Sequence, residues 1–325
     1  MKVVVIGLGS MGKRRIRLLQ RYNQTMQIFG VDKSEERRKE TNEVHGIETF
    51  NTLTDLLNEN KINYAFVCTS PLSHHTIITD CLNQDIHVFT ELNLVHDGYE
   101  RNINLAKKKD LVLFISSTFL YREEIKKIKS LVQESNGLHN YTYHVGQYLP
   151  DWHPWEHYND FFVGDKRTNG CREIFAIELP WLVDVFGDIT NVEVVKGKNS
   201  SLTINYNDHF LAIVEHTSGH KGTLAVDVVS RKAVRNLEVF GEQLYLSWNG
   251  SPQGLKVYDY EKKVDVVIDL YKEIDQLENY SHFVVENAYY NEITAFFESV
   301  NNQKKPIYSF EKDREILKLI DMIEA

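Results

Sequence analysis

The sequence has little that would suit a secreted, membrane-bound or nucleic-acid-binding protein. Its three cysteines, Cys68, Cys81 and Cys171, are an odd number without metal or redox spacing, which argues against a disulfide framework. No apolar run approaches the roughly eighteen residues of a membrane span, and residues 3–6 are too short for the core of a signal peptide. The net charge is −9, with no basic patch. We therefore expect a cytoplasmic protein without membrane or nucleic acid partners.

Composition and patterning favour a folded α/β protein. With 42% hydrophobic and 26% charged residues over 325 positions, the chain can bury a large core, and its length favours two domains. Strand-like segments alternating with helical ones occur at residues 3–6, 28–31, 64–68, 87–90 and 111–115. This alternation predicts a doubly wound parallel sheet, a Rossmann domain, over residues 1–120.

After residue 120 the pattern changes to longer segments in which apolar and polar residues alternate. These segments lie at 141–147, 191–196, 202–206, 211–216, 222–229, 236–240, 244–248 and 254–258. Helical patterns occur at 123–134, 170–186, 287–300 and 311–323. Residues 121–325 are therefore predicted to form an α+β domain with a large, open, mostly antiparallel sheet. Because such a sheet has an exposed face, we expect a homodimer or homotetramer that pairs through it.

The first glycines of the chain form a dinucleotide-binding motif. Residues 7–12 read G-L-G-S-M-G after a predicted strand and at the start of a predicted helix, and Asp32 ends the next strand. Asp32 would accept hydrogen bonds from the adenosine ribose and repel a 2′-phosphate, so NAD is favoured over NADP. The motif assigns these residues to the cofactor: Gly7, Gly9, Ser10, Met11, Gly12 and Asp32.

Two further turns resemble those of a known family. Residues 69–74 read T-S-P-L-S-H after the third strand, and residues 91–93 read E-L-N after the fourth. They resemble the T-P-x-x-x-H and E-K-P turns of the Gfo/Idh/MocA family, the glucose-fructose oxidoreductase and inositol dehydrogenase group. The resemblance implies a Rossmann domain joined to an open-sheet domain, and NAD(P)-dependent chemistry on a sugar, nucleotide sugar or cyclitol. It places near the cofactor Thr69, Ser70, Pro71, His74, Glu91 and Asn93.

The residues that transfer protons in the family are not retained here. The lysine of E-K-P is replaced by Leu92, an aliphatic side chain that cannot move a proton. The family also uses a histidine in a G-G-x-x-x-D-x-G-x-H-x-x-D helix. Residues 169–181 place Glu178 at that position in one register and Ile177 in another. The usual route to alcohol oxidation is therefore missing from both positions.

Other side chains of the same helix are candidates for the site. Glu178 is a carboxylate in an otherwise apolar helix turn and is our first candidate for the catalytic base. The alternative is a structural pair with Arg172 or another cation. Arg172 could clamp a carboxylate or phosphate of the substrate, or it could pair with Glu173 or Glu178. For His74, the alternative to a cofactor role is a turn in which Ser73 caps the helix.

Residues 147–158 are dense in aromatic and titratable side chains, which suits sugar binding. Trp152 and Trp155 are candidates for stacking on a substrate, and His153 is a second candidate for the catalytic acid or base. The same segment could instead pack on a partner subunit.

The spacing of His153, Glu156 and His157 matches an H-x-x-E-H zinc signature. Pro154 argues against it, because proline belongs in the first turn of a helix and would leave His153 at or outside the cap. We therefore predict no metal site. Histidines expected to lie in the sheet or in solvent are His216, His220 and His282.

The sequence thus predicts an NAD-dependent oxidoreductase that acts on a carbinol of a sugar, nucleotide sugar or related polyol. An alternative is an enzyme that keeps NAD bound and catalyses a lyase, epimerase or hydrolase reaction without net redox change. A third interpretation is a non-catalytic protein that binds NAD or a sugar.

Overall fold

The computed structural model describes residues 1–277 and 283–325, so His282 lies outside the described residues. The chain forms two compact units. The first unit comprises Met1–Ser117 and Tyr289–Leu317, and the second comprises Thr118–Ala288 and Lys318–Ala325. A single division at residue 120 would assign all of residues 289–317 to the second domain, whereas here they belong to the first unit.

The first unit contains a six-stranded sheet in which every pair of neighbours is parallel. Its strands are β1 (Lys2–Ile6), β2 (Gln27–Val31), β3 (Glu48–Phe50), β4 (Tyr64–Val67), β5 (His87–Thr90) and β6 (Leu113–Ile115). Their order, β3-β2-β1-β4-β5-β6, reverses direction between β1 and β4. The predicted Rossmann fold is confirmed, and ligands of such sheets bind at the carboxyl ends of the strands beside this reversal.

The second unit contains an eight-stranded sheet in the order β14-β13-β12-β11-β7-β10-β9-β8. Its strands are β7 (Asn140–Gly146), β8 (Ile189–Gly197), β9 (His209–His216), β10 (Lys221–Asp227), β11 (Val234–Phe240), β12 (Tyr245–Trp248), β13 (Lys256–Asp259) and β14 (Val264–Val267). Only the β7–β10 pair is parallel among these described strands. The predicted mostly antiparallel sheet is therefore also confirmed.

The α-helices among the described residues are α1 (Ser10–Tyr22), α2 (Glu35–His45), α3 (Leu53–Glu59), α4 (Pro71–Asn83), α5 (Tyr99–Lys109), α6 (Glu123–Glu134), α7 (Gly170–Phe186), α8 (Glu286–Asn302) and α9 (Phe310–Glu324). The helices predicted at 123–134 and 170–186 have the observed bounds. Sequence periodicity missed α2, which has only one buried residue, Thr41. Its ends are set instead by the Ser34 cap and by Gly46 at φ +67°.

Aromatic packing explains why α8 from Tyr289 onward belongs to the first unit. Phe66 of β4, Phe89 of β5 and Phe114 of β6 form a stacked row across the sheet. Phe296 of α8 packs edge-on against all three, with ring centroids 5.3, 5.8 and 5.9 Å away. The late helix therefore completes a core that begins more than two hundred residues earlier in the sequence.

In the second unit, α7 packs on one face of the sheet. Phe186 stacks on Tyr141 of β7 with ring centroids 4.5 Å apart, and Trp181 meets Tyr143 edge-on at 5.3 Å. These rings make an apolar layer between the helix and the strands. Their packing fixes which side of α7 faces the sheet.

The strand predicted at residues 202–206 is wrong. Leu202, Ile204 and Tyr206 are buried, which reproduces a strand's alternation. The segment is nevertheless irregular. Its backbone is bonded to side chains, since the Thr203 N–H donates to the Tyr158 hydroxyl at 3.1 Å. Alternating burial therefore arises here without a strand ladder.

Candidate functional site

The glycine loop joins β1 to α1 at the carboxyl end of the parallel sheet. Gly7 has φ +93°, and a Cβ there would lie 2.7 Å from the Cys68 carbonyl oxygen. A Cβ on Gly12 would lie 1.9 Å from the Gly7 carbonyl oxygen. Neither position tolerates a side chain, because the clash in each case is with backbone. The predicted roles of these two glycines in a tight turn and in close helix packing fit this geometry.

The approach to the N-terminus of α1 is open at Gly9. A Cβ there would lie 4.0 Å from Arg37 Nη1, the nearest described atom outside the adjacent residues. Within the described chain, no side chain caps α1. The first turn of α1 contains Ser10, Met11 and Gly12. A helix N-terminus reached through glycine backbone is the arrangement that binds a pyrophosphate, so the residues present fit a dinucleotide.

Asp32 is fixed at the end of β2 by backbone hydrogen bonds. Its Oδ2 accepts from the Leu8 N–H and its Oδ1 from the Ser34 N–H, each at 2.8 Å. Carboxylate lone pairs remain for ribose hydroxyls. Arg37 Nη1 lies 3.9 Å from Oδ2, and an arginine beside the ribose favours a 2′-phosphate. Asp32 and Arg37 therefore act on the NAD preference in opposite directions.

The turn after β4 leads directly into α4. The helix begins at Pro71 after the N-cap Ser70, so Ser73 lies inside the helix and the alternative of a Ser73 cap is wrong. The Ser73 hydroxyl donates to the Ser70 carbonyl oxygen at 2.7 Å and lies 2.8 Å from Thr69 Oγ1. Pro71 at the first helical position favours a helix start there, earlier than the spacing of the apolar residues in α4 indicates.

His74 fastens this turn to the turn after β5. The side chain is 2% exposed. Its Nε2 donates to the Thr69 carbonyl oxygen at 2.8 Å, and its Nδ1 lies 2.5 Å from Asn93 Oδ1. Burial lowers the pKa of His74, while hydrogen bonds with Asn93 and Thr69 act in the opposite direction. The structure thus brings three of the residues assigned to the cofactor, Thr69, His74 and Asn93, into one cluster.

Glu91, at the end of β5, is held by a buried arginine. Arg15 Nε lies 2.5 Å from Glu91 Oε1, and Arg15 Nη2 lies 2.7 Å from Glu292 Oε2. The other oxygen of Glu292 accepts from the Ser117 N–H at 2.7 Å. Burial raises the pKa of Glu292. Two carboxylates therefore share one guanidinium beside Leu92, and the predicted cofactor role of Glu91 stays a prediction.

Glu178 is fully buried with both carboxylate oxygens engaged. Oε1 accepts from Arg235 Nε at 2.9 Å and from Nη2 at 2.7 Å. Oε2 accepts from the Tyr143 hydroxyl and from Trp181 Nε1, each at 2.7 Å. The cation that pairs with Glu178 is therefore Arg235 and not Arg172. Its role as the catalytic base stays a prediction.

Arg172 pairs with the C-terminal helix. Its Nη2 lies 2.7 Å from Asp321 Oδ1, and its Nη1 bonds to Glu324. The expected ion-pair partners, Glu173 and Glu178, are therefore wrong, because α9 supplies two carboxylates that sequence proximity does not reveal. A substrate clamp by Arg172 stays a prediction.

The aromatic segment follows β7 and forms turns with one short 3-10 helix at Leu149–Asp151. His153 stacks on Trp155 and Phe161 with ring centroids 5.1 and 4.3 Å away, and its Nδ1 lies 2.7 Å from Glu156 Oε1. Trp152 is half-buried and donates from Nε1 to the Gln147 carbonyl oxygen at 3.3 Å. Trp155 is 72% exposed, so the ring face away from His153 is accessible to a ligand.

The described residues contain no group of three or more His, Cys, Asp or Glu side chains that could hold a metal ion. Residues 153–157 form turns, so the two histidines of the zinc signature do not share a helix. The three cysteines are free thiols. Among the described helices, none is long and apolar enough to cross a membrane.

Glu173 is a candidate that sequence reasoning passed over. Its Oε2 is buried and has no hydrogen-bond partner among the described residues. Burial raises its pKa to about 7. A carboxylate without a partner whose pKa lies near neutrality is a frequent mark of a functional site. Glu173 and Ile177 are one helical turn apart and are both only partly covered, which gives α7 a second, less buried face.

Comparisons with known proteins agree with this architecture. The family model described as oxidoreductase family, NAD-binding Rossmann fold (GFO_IDH_MocA) matches residues 1–117. A myo-inositol 2-dehydrogenase from Thermotoga maritima is 28% identical over 136 residues, and this match covers 41% of each chain. The curated relative is thus matched over less than half its length.

Two solved structures resemble the chain over nearly its whole length. A UDP-N-acetylglucosamine 3-dehydrogenase from Acidithiobacillus ferrooxidans has a TM-score of 0.74 at 18% identity, with 100% of this chain and 96% of that chain covered. A levoglucosan dehydrogenase in complex with NADH has a TM-score of 0.82 at 13% identity, with 99% and 95% covered. At such identities the likeness concerns the fold. With the glycine loop, the match to the family model shows that residues 1–117 are similar to the NAD-binding Rossmann domain of the Gfo/Idh/MocA oxidoreductases.

Proposed function

We propose that this protein is an NAD-dependent oxidoreductase that acts on a carbinol of a sugar, a nucleotide sugar or a related polyol. The observation that carries the proposal is the glycine loop with its open helix N-terminus and the fixed Asp32. The names of the compared proteins add support, since they refer to inositol, UDP-N-acetylglucosamine and levoglucosan.

Oxidation of a carbinol removes a hydride from carbon and a proton from oxygen. Bound NAD supplies the hydride acceptor. The chain must supply the proton acceptor, and Leu92 at the family's lysine position cannot do so. A different side chain therefore has this role if the protein is a working oxidoreductase.

Among the candidates for the base, Glu173 fits best. Its buried Oε2 accepts no hydrogen bond from the described residues, and its pKa of about 7 suits a general base at neutral pH. Glu178 and His153 remain candidates. Glu178, however, already accepts four hydrogen bonds, two of them from Arg235, so a proton on it would weaken a buried ion pair. His153 is partly exposed and bonded to Glu156.

The substrate contacts that we propose are Trp152, Trp155 and Arg172. The exposed Trp155 ring can stack on the C–H face of a sugar. Arg172 would need to share its guanidinium with a substrate anion, because Asp321 and Glu324 already bind it. Trp155→Ala and Arg172→Lys should each raise KM more than they lower kcat.

Three matched variants test the assignment of the base. Glu173→Gln, Glu178→Gln and His153→Asn keep side-chain size while removing basicity. Each is assayed at 340 nm with a panel of sugars and nucleotide sugars, and NADH binding is measured in parallel by fluorescence. We expect turnover to be lost only in Glu173→Gln. This variant should still fold and bind NADH with wild-type affinity. Wild-type turnover in Glu173→Gln would reject it as the base.

Because the family's lysine is absent, the two alternative functions need their own tests. An enzyme that retains NAD without net redox change would carry NAD through gel filtration and produce product with no lasting absorbance at 340 nm. A non-catalytic binding protein would bind NADH and sugar without turning over any member of the panel. Continuous production of NADH from NAD and a substrate would support the oxidoreductase.

We also propose that a second copy of the chain covers the open face of the eight-stranded sheet. Apolar side chains on neighbouring strands β8 and β9 are exposed there, with Val195 at 69% and Leu211 and Ile213 at 55% each. Exposed apolar patches of this kind are typical of subunit interfaces. Light scattering should report at least a dimer at micromolar concentration, and a monomer of 37.9 kDa would contradict this.

A further inference from the structure

A continuous series of hydrogen bonds in the first unit, buried except at its Thr69 end, runs from α9 to the turn after β4. We call it the buried polar chain, and its members are Thr69, His74, Asn93, Tyr99, Asp313 and Tyr308. Asn93 is 2% exposed, Tyr99 4% and Asp313 1%. Because these three side chains have almost no access to water, each of their donors must meet an acceptor within the buried polar chain.

The contacts of the buried polar chain are short. The Tyr99 hydroxyl bonds to Asp313 Oδ2, and the Tyr308 hydroxyl lies 2.8 Å from Asp313 Oδ1. Asn93 Nδ2 lies 2.8 Å from the Tyr99 hydroxyl. Asn93 Oδ1 lies 2.5 Å from His74 Nδ1. Asn93 stands where the family has a proline, so the side-chain link between His74 and Tyr99 exists through this replacement.

Counting hydrogens restricts the protonation of the chain. The Thr69 carbonyl oxygen can only accept, so His74 Nε2 carries a hydrogen. In neutral His74, Nδ1 is then bare and needs a donor. Rotation of the Asn93 amide by about 180° provides it, since oxygen and nitrogen exchange places. The Asn93 oxygen then faces Tyr99, which must donate to it. Tyr99 must in turn accept from a protonated Asp313.

The opposite arrangement uses the same single mobile proton. An ionised Asp313 accepts from Tyr99, which accepts from the Asn93 amide, and the Asn93 oxygen accepts from a doubly protonated His74. Burial penalises this charge-separated form, so the neutral form with the proton on Asp313 is favoured. If the proton is absent altogether, one contact joins two acceptors. The Thr90 hydroxyl, 3.3 Å from His74 Nδ1, is a poor replacement donor.

We propose that Asp313 is a positioning residue that, as a protonated carboxyl, keeps His74 neutral with a bonded Nδ1 and thereby fixes the Thr69 turn. Its effect on NAD binding rests on the proposed function, whereas the protonation of the chain does not. Loss of the Asp313 proton turns the Asn93 amide and leaves His74 Nδ1 against an acceptor. The cofactor turn then loosens as the pH rises through the Asp313 transition.

The titratable groups around the buried polar chain favour a protonated Asp313 and a neutral His74. Burial raises the pKa of Asp313 to about 6, against the effect of hydrogen bonds from Tyr99 and Tyr308. In the neutral form Tyr99 accepts from Asp313 instead, so one of these opposing bonds is lost and the transition moves higher. Burial lowers the pKa of His74, and the nearby Glu91 acts to raise it.

Nitrogen-15 NMR of the His74 ring in the NAD-free protein tests the proton directly. We expect neutral His74 with hydrogen on Nε2 at pH 6, and a shift of the Nδ1 resonance as the pH rises toward 8. Asp313→Asn mimics the protonated carboxyl, so in this variant the Nδ1 resonance of His74 should not move with pH. Tyr308→Phe removes a donor that favours ionised Asp313, so the midpoint should rise. A doubly protonated His74, or a transition unchanged in Asp313→Asn, would overturn the proposal.

NADH titrations by fluorescence test the consequence. Wild-type affinity should fall about fivefold from pH 6 to pH 8, the effect of one neutral hydrogen bond, and Asp313→Asn should show no fall. Glu311→Gln is the matched control on the same helix, because Glu311 pairs with Lys107 at the surface, and it should behave like wild type. Equal pH profiles in wild type and Asp313→Asn would refute the positioning role. Absence of NADH binding at any pH would count against the proposed function and leave the NMR result to decide the protonation.

Discussion

The glycine loop of the first unit and helix α7 of the second differ in how their sites are built. The loop works through backbone: a Cβ at Gly7 or Gly12 would overlap a carbonyl group. The residue type is therefore dictated locally, and the sequence alone reveals the site. Glu178 of α7 depends on partners such as Arg235, which lies 57 residues away. A site made of side-chain partners becomes visible only once the fold brings them together.

The largest expected effect concerns the ion pair of Glu178. Glu178→Gln leaves Arg235 without a charge partner and presents an amide N–H₂ to donors, so the free energy of unfolding should fall by about 3–5 kcal/mol. Urea denaturation at pH 7 measures it. If stability is unchanged and kcat falls about a hundredfold, Glu178 is the base instead.

A surface pair provides the control for Glu178. Glu215 and Lys221 lie 2.9 Å apart, and both side chains are substantially exposed. Glu215→Gln should change the free energy of unfolding by no more than about 0.5 kcal/mol, because solvent screens the pair. A similar loss of unfolding free energy in Glu178→Gln and Glu215→Gln would mean that burial does not make the Glu178 pair more important than the surface pair.

The next largest effect is expected at Glu173. Glu173→Gln should lower kcat about a hundredfold, the usual contribution of a general base, with little change in NADH binding. The same variant should be more stable than wild type at pH 8, by about 3 kcal/mol. A loss of both kcat and stability would indicate a structural role.

The sign of the stability change follows from the raised pKa. Burial raises the pKa of Glu173 from 4.5 to about 7. Between these values the folded protein holds a proton that the unfolded chain releases, so stability falls as the pH rises, and the full penalty is present above pH 7. Glutamine carries no such penalty. The two proteins should therefore be equally stable near pH 4.5, which denaturation curves at both pH values check.

Most of the fold could be predicted from the sequence. Buried strands such as β4 and β5 are continuous apolar runs, and α6 and α7 have clear helical patterns. The failures have physical causes. Helix α2 has almost no buried face, so its evidence lies in its caps. The assignment of α8 to the first unit depends on Phe296 packing against strands distant in sequence. No local pattern encodes such a contact.

The candidate site was predicted only in part. The glycine motif, Asp32 and the two turns could be located because strand ends position them. The partners of Arg172 and Glu178 could not, since α9 and β11 supply them from elsewhere in the chain. Glu173 could have been found as a carboxylate one turn before Ile177, the family's histidine position in one register.

A smaller effect should separate Asp32 from Arg37 within the cofactor site. Asp32→Ser removes a ribose acceptor and a charge that repels a 2′-phosphate. NADH affinity should therefore fall about tenfold, and the difference between the affinities for NADH and NADPH should become smaller. Arg37→Ala should leave NADH affinity nearly unchanged and weaken NADPH binding. Fluorescence titrations with both cofactors measure this. If wild type binds NADPH as tightly as NADH, the role given to Asp32 is wrong.

The smallest effect is expected in a histidine cluster of the second unit. His216 is buried, with Nε2 3.0 Å from the Tyr141 hydroxyl and Nδ1 donating to the Gly187 carbonyl oxygen at 2.6 Å. Burial lowers the pKa of His216, and His220 acts in the same direction while Asp188 opposes it. Burial also lowers the pKa of His139, whose ring lies 5.4 Å from that of His220.

The fold therefore favours neutral histidines, and the stability that they contribute is present above the unfolded pKa of 6.5 and lost as the pH falls below it. Each unit of pKa difference corresponds to about 1.4 kcal/mol, so the loss between pH 7.5 and 5.5 should be modest. His216→Gln keeps a hydrogen-bond donor and removes the titration, so its loss over this range should be smaller than that of wild type. Hydrogen exchange should place the difference in β9, β10 and the end of α7, and not in the parallel sheet. Identical pH dependence in both proteins would show that His216 does not titrate with unfolding, and the acid response would then have to come from His139.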